Sequence, residues 1–195
     1  RGAGMAVKVT SGPAVEPLTT EEARMQLRVD LDAEDDLIDA AVKAARAYVE
    51  TNTRRKLITQ TVVLTQTGIH GWLLPLPVLP IQSVTSIQYK DPTTGALTTW
   101  DAANWQIVQS AEPAHIAPAY GLTWPTIRSD FDNVVVTMVA GYGDAATSIP
   151  SDLIAAVRLM TAHFFENRQE EYAGTIVSKL SVGADRLIAP HVLHN

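Results

Sequence analysis

Leu37-Ile-Asp-Ala-Ala-Val-Lys-Ala-Ala-Arg-Ala-Tyr-Val-Glu-Thr-Asn-Thr-Arg-Arg-Lys-Leu-Ile-Thr-Gln-Thr-Val-Val-Leu-Thr-Gln66 changes its structural period once, near Leu57. Before that point Leu37, Ile38, Ala41, Ala45, Tyr48 and Val49 recur at steps of three and four, which places them on one face of a helix. Acids stand at the start of the segment, and Arg46, Arg54, Arg55 and Lys56 stand toward its end, as the helix dipole favours. The pattern predicts a helix over roughly 34–53. After Leu57 the composition turns to Thr, Val, Ile, Tyr and Trp, broken repeatedly by Pro and Gly, and stays so to about Ala140.

Outward from that switch, the N-terminal side carries a second helix signal. In Pro17-Leu-Thr-Thr-Glu-Glu22, Thr19 and Glu22 have capping-box spacing, which predicts a short helix running to Leu27 or Arg28. Residues 1–16 are small, polar and aperiodic and read as a flexible arm. On the C-terminal side, Thr59–Gln66, Ser83–Lys90, Ala96–Trp100, Trp105–Val108 and Asn133–Ala140 read as short strands. Asp91-Pro-Thr-Thr-Gly95 is a turn, so 83–90 and 96–100 form a hairpin. Trp72-Leu-Leu-Pro-Leu-Pro-Val-Leu-Pro-Ile81 has three prolines and can be neither helix nor central strand. It reads as an extended connector whose leucines pack beneath the strands. Helix signals return at Ile149-Pro-Ser-Asp152, followed by a stripe of Leu153, Ile154, Val157, Met160, Thr161 and Phe164 that ends near Arg168 or Glu171.

The expected class is therefore α+β. Helices from both ends of the chain (17–57 and 146–171) bundle together, because neither amphipathic face can be buried alone. A small antiparallel β domain (58–145) is inserted between them. Residues 172–195 form a C-terminal tail with at most a short helix around Ala184–Ile188.

The 195 residues include no cysteine, which removes disulfides, Cys-based zinc sites and thiol nucleophiles together. The formal net charge of −6 argues against tight phosphate binding. The dense basic cluster Arg54-Arg55-Lys56 sits where cations complement a helix C-terminus, a simpler reading than a nucleic-acid patch. No apolar run reaches the ~18 residues that cross a bilayer, and the N-terminus lacks the apolar core of a secretory signal.

Chemistry-bearing motifs are few. The acidic run Asp30–Asp36 resembles a calcium loop only superficially, since Asp35 and Ala41 stand where that loop needs glycine and a bidentate glutamate. Five histidines occur, none in an HExxH pattern; His163 reads as a helix-surface residue bonded to a neighbour, and His191 and His194 as at most weak chelators. No Gly-x-Ser-x-Gly elbow, P-loop or dinucleotide fingerprint is present. Paired carboxylates of the glycosidase kind are built in space and leave no linear trace. Catalytic, cofactor and metal residues are thus expected to be none. The four tryptophans, Trp72, Trp100, Trp105 and Trp124, fall in or beside the β region. They read as core of a small sheet, with a carbohydrate- or peptide-binding surface as the alternative.

The order of short motifs resembles the phage head–tail connector (adaptor) family. The resemblance is carried by Leu18-Thr-Thr-Glu-Glu-Ala23, Leu27-Arg-Val-Asp30, Glu34-Asp-Asp-Leu-Ile38, Ala44-Ala-Arg-Ala-Tyr-Val-Glu50 and Leu57-Ile-Thr-Gln-Thr61. It continues through Leu74-Pro-Leu-Pro77, Ile81-Gln-Ser-Val-Thr-Ser-Ile87, Pro118-Ala-Tyr-Gly121 with Trp124-Pro125, Ala140-Gly-Tyr-Gly143 and Ile149-Pro150. Ala162-His-Phe-Phe-Glu-Asn-Arg168 and Leu187-Ile-Ala-Pro190 close it, so coverage runs from about 17 to 190. The chain looks like the longer version of the family, with an inserted β domain; similar proteins occur in gene transfer agents. The ending His191-Val-Leu-His-Asn195 departs from relatives that stop soon after the Leu-x-Ala-Pro motif.

The resemblance implies a structural subunit of a virion or phage-like particle, present in the host cytoplasm before assembly. It implies a dodecameric ring of identical subunits docked on the portal protein, extending the DNA channel and receiving a stopper or tail-completion protein. DNA would pass without specific binding. Two segments are expected to meet other chains: the Pro-rich strip, through Trp72, Leu74, Leu76 and Leu79, and the tail, through Leu187, Ile188, Pro190, Val192 and Leu193. The tail is expected to be poorly ordered until docked.

Overall fold

In the computed structural model, which describes residues 4–29, 34–167 and 182–193, the chain divides into two compact units. One comprises residues 1–12 and 59–141, the other residues 13–58 and 142–195.

The second unit is helical. Helix α1 spans Thr20–Leu27 and starts at a complete capping box, with Thr19 accepting from the Glu22 N–H and the Glu22 carboxylate accepting from the Thr19 N–H. It ends on Arg28, in the left-handed region at φ 56°. Helix α2 spans Asp35–Thr53 and buries Ile38, Ala41, Val42, Ala45 and Val49 along one stripe. Helix α3 spans Ser151–Glu166 and buries Leu153, Ala156, Val157 and Met160. The two stripes meet in one apolar core that also takes in Leu18, Ala23, Leu57, Ile58 and Ile149. The α+β class and the bundling of early and late helices match the sequence reading. Truncating Leu153, which has no exposed surface, is worth about 2–5 kcal/mol by the usual cost of a buried leucine.

The first unit contains two antiparallel sheets. Strands β1 (Met5–Ser11), β2 (Gln60–Gln66), β4 (Ile81–Lys90), β5 (Leu97–Trp100) and β8 (Val134–Ala140) form a sheet in the order β1-β2-β8-β4-β5. Strands β3 (Leu74–Pro75), β6 (Trp105–Val108) and β7 (His115–Pro118) form a second in the order β3-β7-β6. In β2 and β8 buried residues alternate with half-buried ones, so one face of the large sheet looks inward. Val62, Leu64, Val136, Met138 and Ile87 supply that face, while Leu74, Leu76 and Ile116 are the fully buried residues of the small sheet and its approach. The β4–β5 hairpin turns through Asp91, whose Oδ1 accepts from the N–H groups of Thr93 and Thr94 at 2.8 and 2.7 Å.

Three strands escape the sequence reading: β1, β3 and β7. The first overturns the expectation of a flexible arm, because Met5–Ser11 pairs with β2 from Met5↔Gln66 to Ser11↔Thr61. Met5, Val7 and Val9 do alternate with Ala6, Lys8 and Thr10. The alternation is short, however, and its partner lies more than fifty residues away, so no local signal completes it.

Candidate assembly surfaces

The Pro-rich strip enters the β unit as an extended run, as expected from its composition. Leu74, Leu76 and Leu79 are buried within the chain's own core, at 1%, 0% and 4% exposure. This corrects the expectation that they offer surface to another subunit: Leu74 and Leu76, two positions apart on an extended chain, share the inward face, and Val78 and Leu79 are both buried after them. Trp72 stands clear at 55% exposure, next to exposed Leu73. The register Leu74↔Ile116 between β3 and β7 brings Trp72 and Leu73 to the end of the small sheet from which Tyr120 and Leu122, both exposed, also emerge. This apolar rim includes two residues, Tyr120 and Leu122, that pattern reading passes over because they lie in a turn.

The tryptophans divide. Trp100 is buried and stacks on half-buried Trp124 with ring centroids 5.0 Å apart, and the Trp124 Nε1 donates to the Trp72 carbonyl at 3.1 Å. Trp105 is half-buried, with its Nε1 enclosed. Trp100 and Trp124 thus brace each other in keeping with a core role, whereas the exposed Trp72 departs from it. A surface depression beside Trp124, lined by Ile69, His70, Pro125, Arg128 and Asp130, is the place where a carbohydrate reading would have to seat its ligand.

At the C-terminal end, helix α4 (Val182–Ile188) and a 3-10 turn (Ala189–His191) lie on the helical unit. Ala184 and Ile188 enter its apolar core, and Leu193 is buried as well. Four polar contacts hold the segment. The Tyr48 hydroxyl donates to Asp185 at 2.8 Å, and the Arg55 Nε donates to the His191 carbonyl at 2.8 Å. The Leu193 N–H donates to the Thr53 carbonyl at 3.3 Å, and the His191 Nε2 meets Asp152 at 2.5 Å. The expectation of a poorly ordered tail is corrected for residues 182–193, and Ile188 and Leu193 are core rather than free surface. Leu187 and Val192 are half-buried and Pro190 is exposed. The rest of that expectation, with His194 and residues 168–181, lies outside the described residues.

The same contacts explain the basic cluster. Arg55 is buried against the C-terminal turn, and Lys56 donates to Glu50 at 2.9 Å. Glu50, only 5% exposed, also accepts from the Leu57 N–H at 3.1 Å. Here the chain leaves α2, so these cations hold the end of that helix within the helical unit.

An apolar groove of about 240 Å³ runs between α2 and α3, lined by Leu37, Ala40, Ala41, Ala44, Phe164 and Phe165. Across the other unit, every residue of β1 is exposed, including Met5, Val7 and Val9 at 48%, 43% and 38%. Among the described residues no group of three His, Cys, Asp or Glu side chains is placed to hold a metal ion, and no helix is long and apolar enough to cross a membrane. Asp35, from the acidic run, forms an ion pair with Arg24; residues 30–33 of that run are outside the described residues. His163 contacts Asn167 at 3.3 Å, as the helix-surface reading anticipates.

Residues 18–89 match the family described as phage gp6-like head-tail connector protein. No curated protein matches. Among solved structures, a chain in the neck of an empty gene transfer agent (GTA) particle, computed with C6 symmetry, is 28% identical with a TM-score of 0.78, covering 97% of this chain and 96% of that one. A chain in the virion of a native GTA particle is 27% identical with a TM-score of 0.79, at the same coverage. A chain in the neck of a native GTA particle, computed with C12 symmetry, is 27% identical with a TM-score of 0.71, covering 96% of each. Over residues 18–89 the chain is thus similar to the phage gp6-like head-tail connector family, and along nearly its whole length its fold is similar to that of chains in GTA particles.

Proposed function

We propose that this chain is a structural adaptor subunit of the head–tail junction. Copies of it form a ring that docks on the capsid portal, extends the DNA channel and receives the stopper or tail-completion protein. The observation that carries the reading is the near full-length likeness to neck chains at 27–28% identity, joined to the connector match over 18–89. Twelve copies is the proposed number, by analogy with the neck computed with C12 symmetry.

A ring subunit needs surfaces for neighbours and no reaction centre. Trp72, Leu187, Pro190 and Val192 keep exposed surface and remain the proposed contacts with other chains. The net charge of −6 suits a channel component along which DNA slides, since little phosphate charge is neutralised. The subunit is proposed to reside in the host cytoplasm before assembly and in the finished particle thereafter.

Electron microscopy of the purified protein mixed with its portal tests the reading. The expected result is an added ring beneath the portal. Portal rings left bare at saturating protein would overturn it.

A further inference from the structure

Strand β1 has the features of half an interface. Its partners in β2 fix which way its side chains point: Val7 lies opposite Leu64 and Val9 opposite Val62, so both stand on the core face of the sheet. There they keep 43% and 38% of their surface exposed, whereas Leu64 and Val62 are fully buried. Among the described residues, the outer edge of β1 adjoins no other strand. Edge strands of monomers are normally blunted by proline, charge or a bulge. Here the register shift comes only after Val9, which leaves Met5–Val9 as a regular edge bearing one charge, Lys8.

The opposite edge of the same sheet is complementary. Strand β5 closes it, with Leu97, Thr98 and Thr99 exposed and no charged residue among Leu97–Trp100. Four successive antiparallel pairings separate β1 from β5, so the two run in the same direction. A ring requires a heterologous contact, one patch meeting a different patch on the next copy. Two free edges of one sheet supply such a pair, and joined head to tail they would pair parallel.

We propose that the outer edge of β1 docks on the β5 edge of the next copy of this chain, continuing the five-stranded sheet across the subunit boundary. This rests on the ring-forming adaptor reading and names the strands that close the ring. Met5, Val7 and Val9 then lie against the Trp100 side of the neighbouring sheet, which places their apolar surface out of water. Lys8 and Thr99 fall on the opposite, outward face of the joined sheet, because Lys8 pairs with Val63 and Thr99 with Gln88.

The natural chain has no cysteine, so engineered thiols report cleanly. Neighbouring strands lie about 4.8 Å apart, within reach of a disulfide or a short bismaleimide. Portal-bound protein carrying Lys8→Cys and Thr99→Cys together is expected to cross-link into a ladder of multimers on a denaturing gel, while each single variant runs there as the uncross-linked chain. Leu97→Cys, on the same face as Thr99, replaces Thr99→Cys if that variant fails to fold. A ring visible by electron microscopy without a ladder overturns this proposal alone. Dimers from Lys8→Cys by itself overturn it too, because β1 would then meet β1. No ring with wild-type protein overturns the adaptor reading and this proposal with it.

Discussion

His191 and Asp152, 39 residues apart, meet at 2.5 Å from Nε2 to Oδ2 and tie the 3-10 turn Ala189–His191 to the first turn of α3. Burial raises the Asp152 pKa, but hydrogen bonds from His191 and the Leu153 N–H, with the His191 charge, outweigh it. Its carboxyl therefore lies below the ordinary value of 3.8. A group whose folded pKa is depressed contributes stability above its unfolded pKa and loses it as pH falls through the folded value. Acid unfolding below about pH 4 should therefore be shallower in Asp152→Asn than in the wild type. Because the Asp152 side chain is 38% exposed, the loss at neutral pH should stay within about 1 kcal/mol. Urea midpoints measured at pH 5 and pH 3 check this; parallel losses in both proteins would refute it.

The latch makes a second, local prediction. His191→Ala removes one tie while Ile188 and Leu193 stay in place, so amide exchange should quicken over 189–193 and leave α2 unchanged. Uniform acceleration across the helical unit would show that the turn is integral to global stability instead.

Tyr48 holds the other end of the same segment. Its pKa is raised to about 12, by burial first and then by its hydrogen bond to Asp185 and that carboxylate's charge. A raised pKa means the fold favours the neutral phenol, a contribution complete below pH 10 and lost as pH rises toward 12. Ultraviolet titration should find one tyrosine ionising late, and Tyr48→Phe should abolish that phase. A normal titration for every tyrosine would contradict the contact.

Glu50 is the buried charge that holds the chain where it leaves α2. Glu50→Ala strands Lys56 and the Leu57 N–H, at about 3 kcal/mol by the cost of breaking a buried pair. Glu50→Gln retains an acceptor for that N–H and should lose less. Chemical denaturation ranks the two variants, and an equal loss would assign the effect to charge alone.

Trp100 and Trp124 separate the scaffold reading from the carbohydrate one. Intrinsic fluorescence titrated with oligosaccharides should show no saturable change. A saturable quench abolished by Trp124→Ala would establish a ligand in the depression beside it.

The helices were legible in the sequence because their signals are local. The Thr19–Glu22 box and the stripe from Ile38 to Val49 lie within a few turns of backbone, and each appears where its pattern places it. Strands β2, β4, β5, β6 and β8 were legible for the same reason, being runs of β-branched and aromatic residues bounded by turn residues. The connector resemblance likewise needed only the order of motifs, and it anticipated the neck-like fold.

What the sequence alone determined, then, was the alternation of helical and strand segments and their likeness to a connector family. The tertiary structure decided which apolar residues remain outside. Leu76 and Trp72 sit in one Pro-rich run, yet only Trp72 is exposed; Val7 and Leu64 pair across a gap of many residues, yet only Leu64 is covered. Hydrophobicity states that a side chain should leave water. Whether its own chain or another one covers it depends on where the rest of the fold passes, and that is a property of the folded chain rather than of any stretch within it.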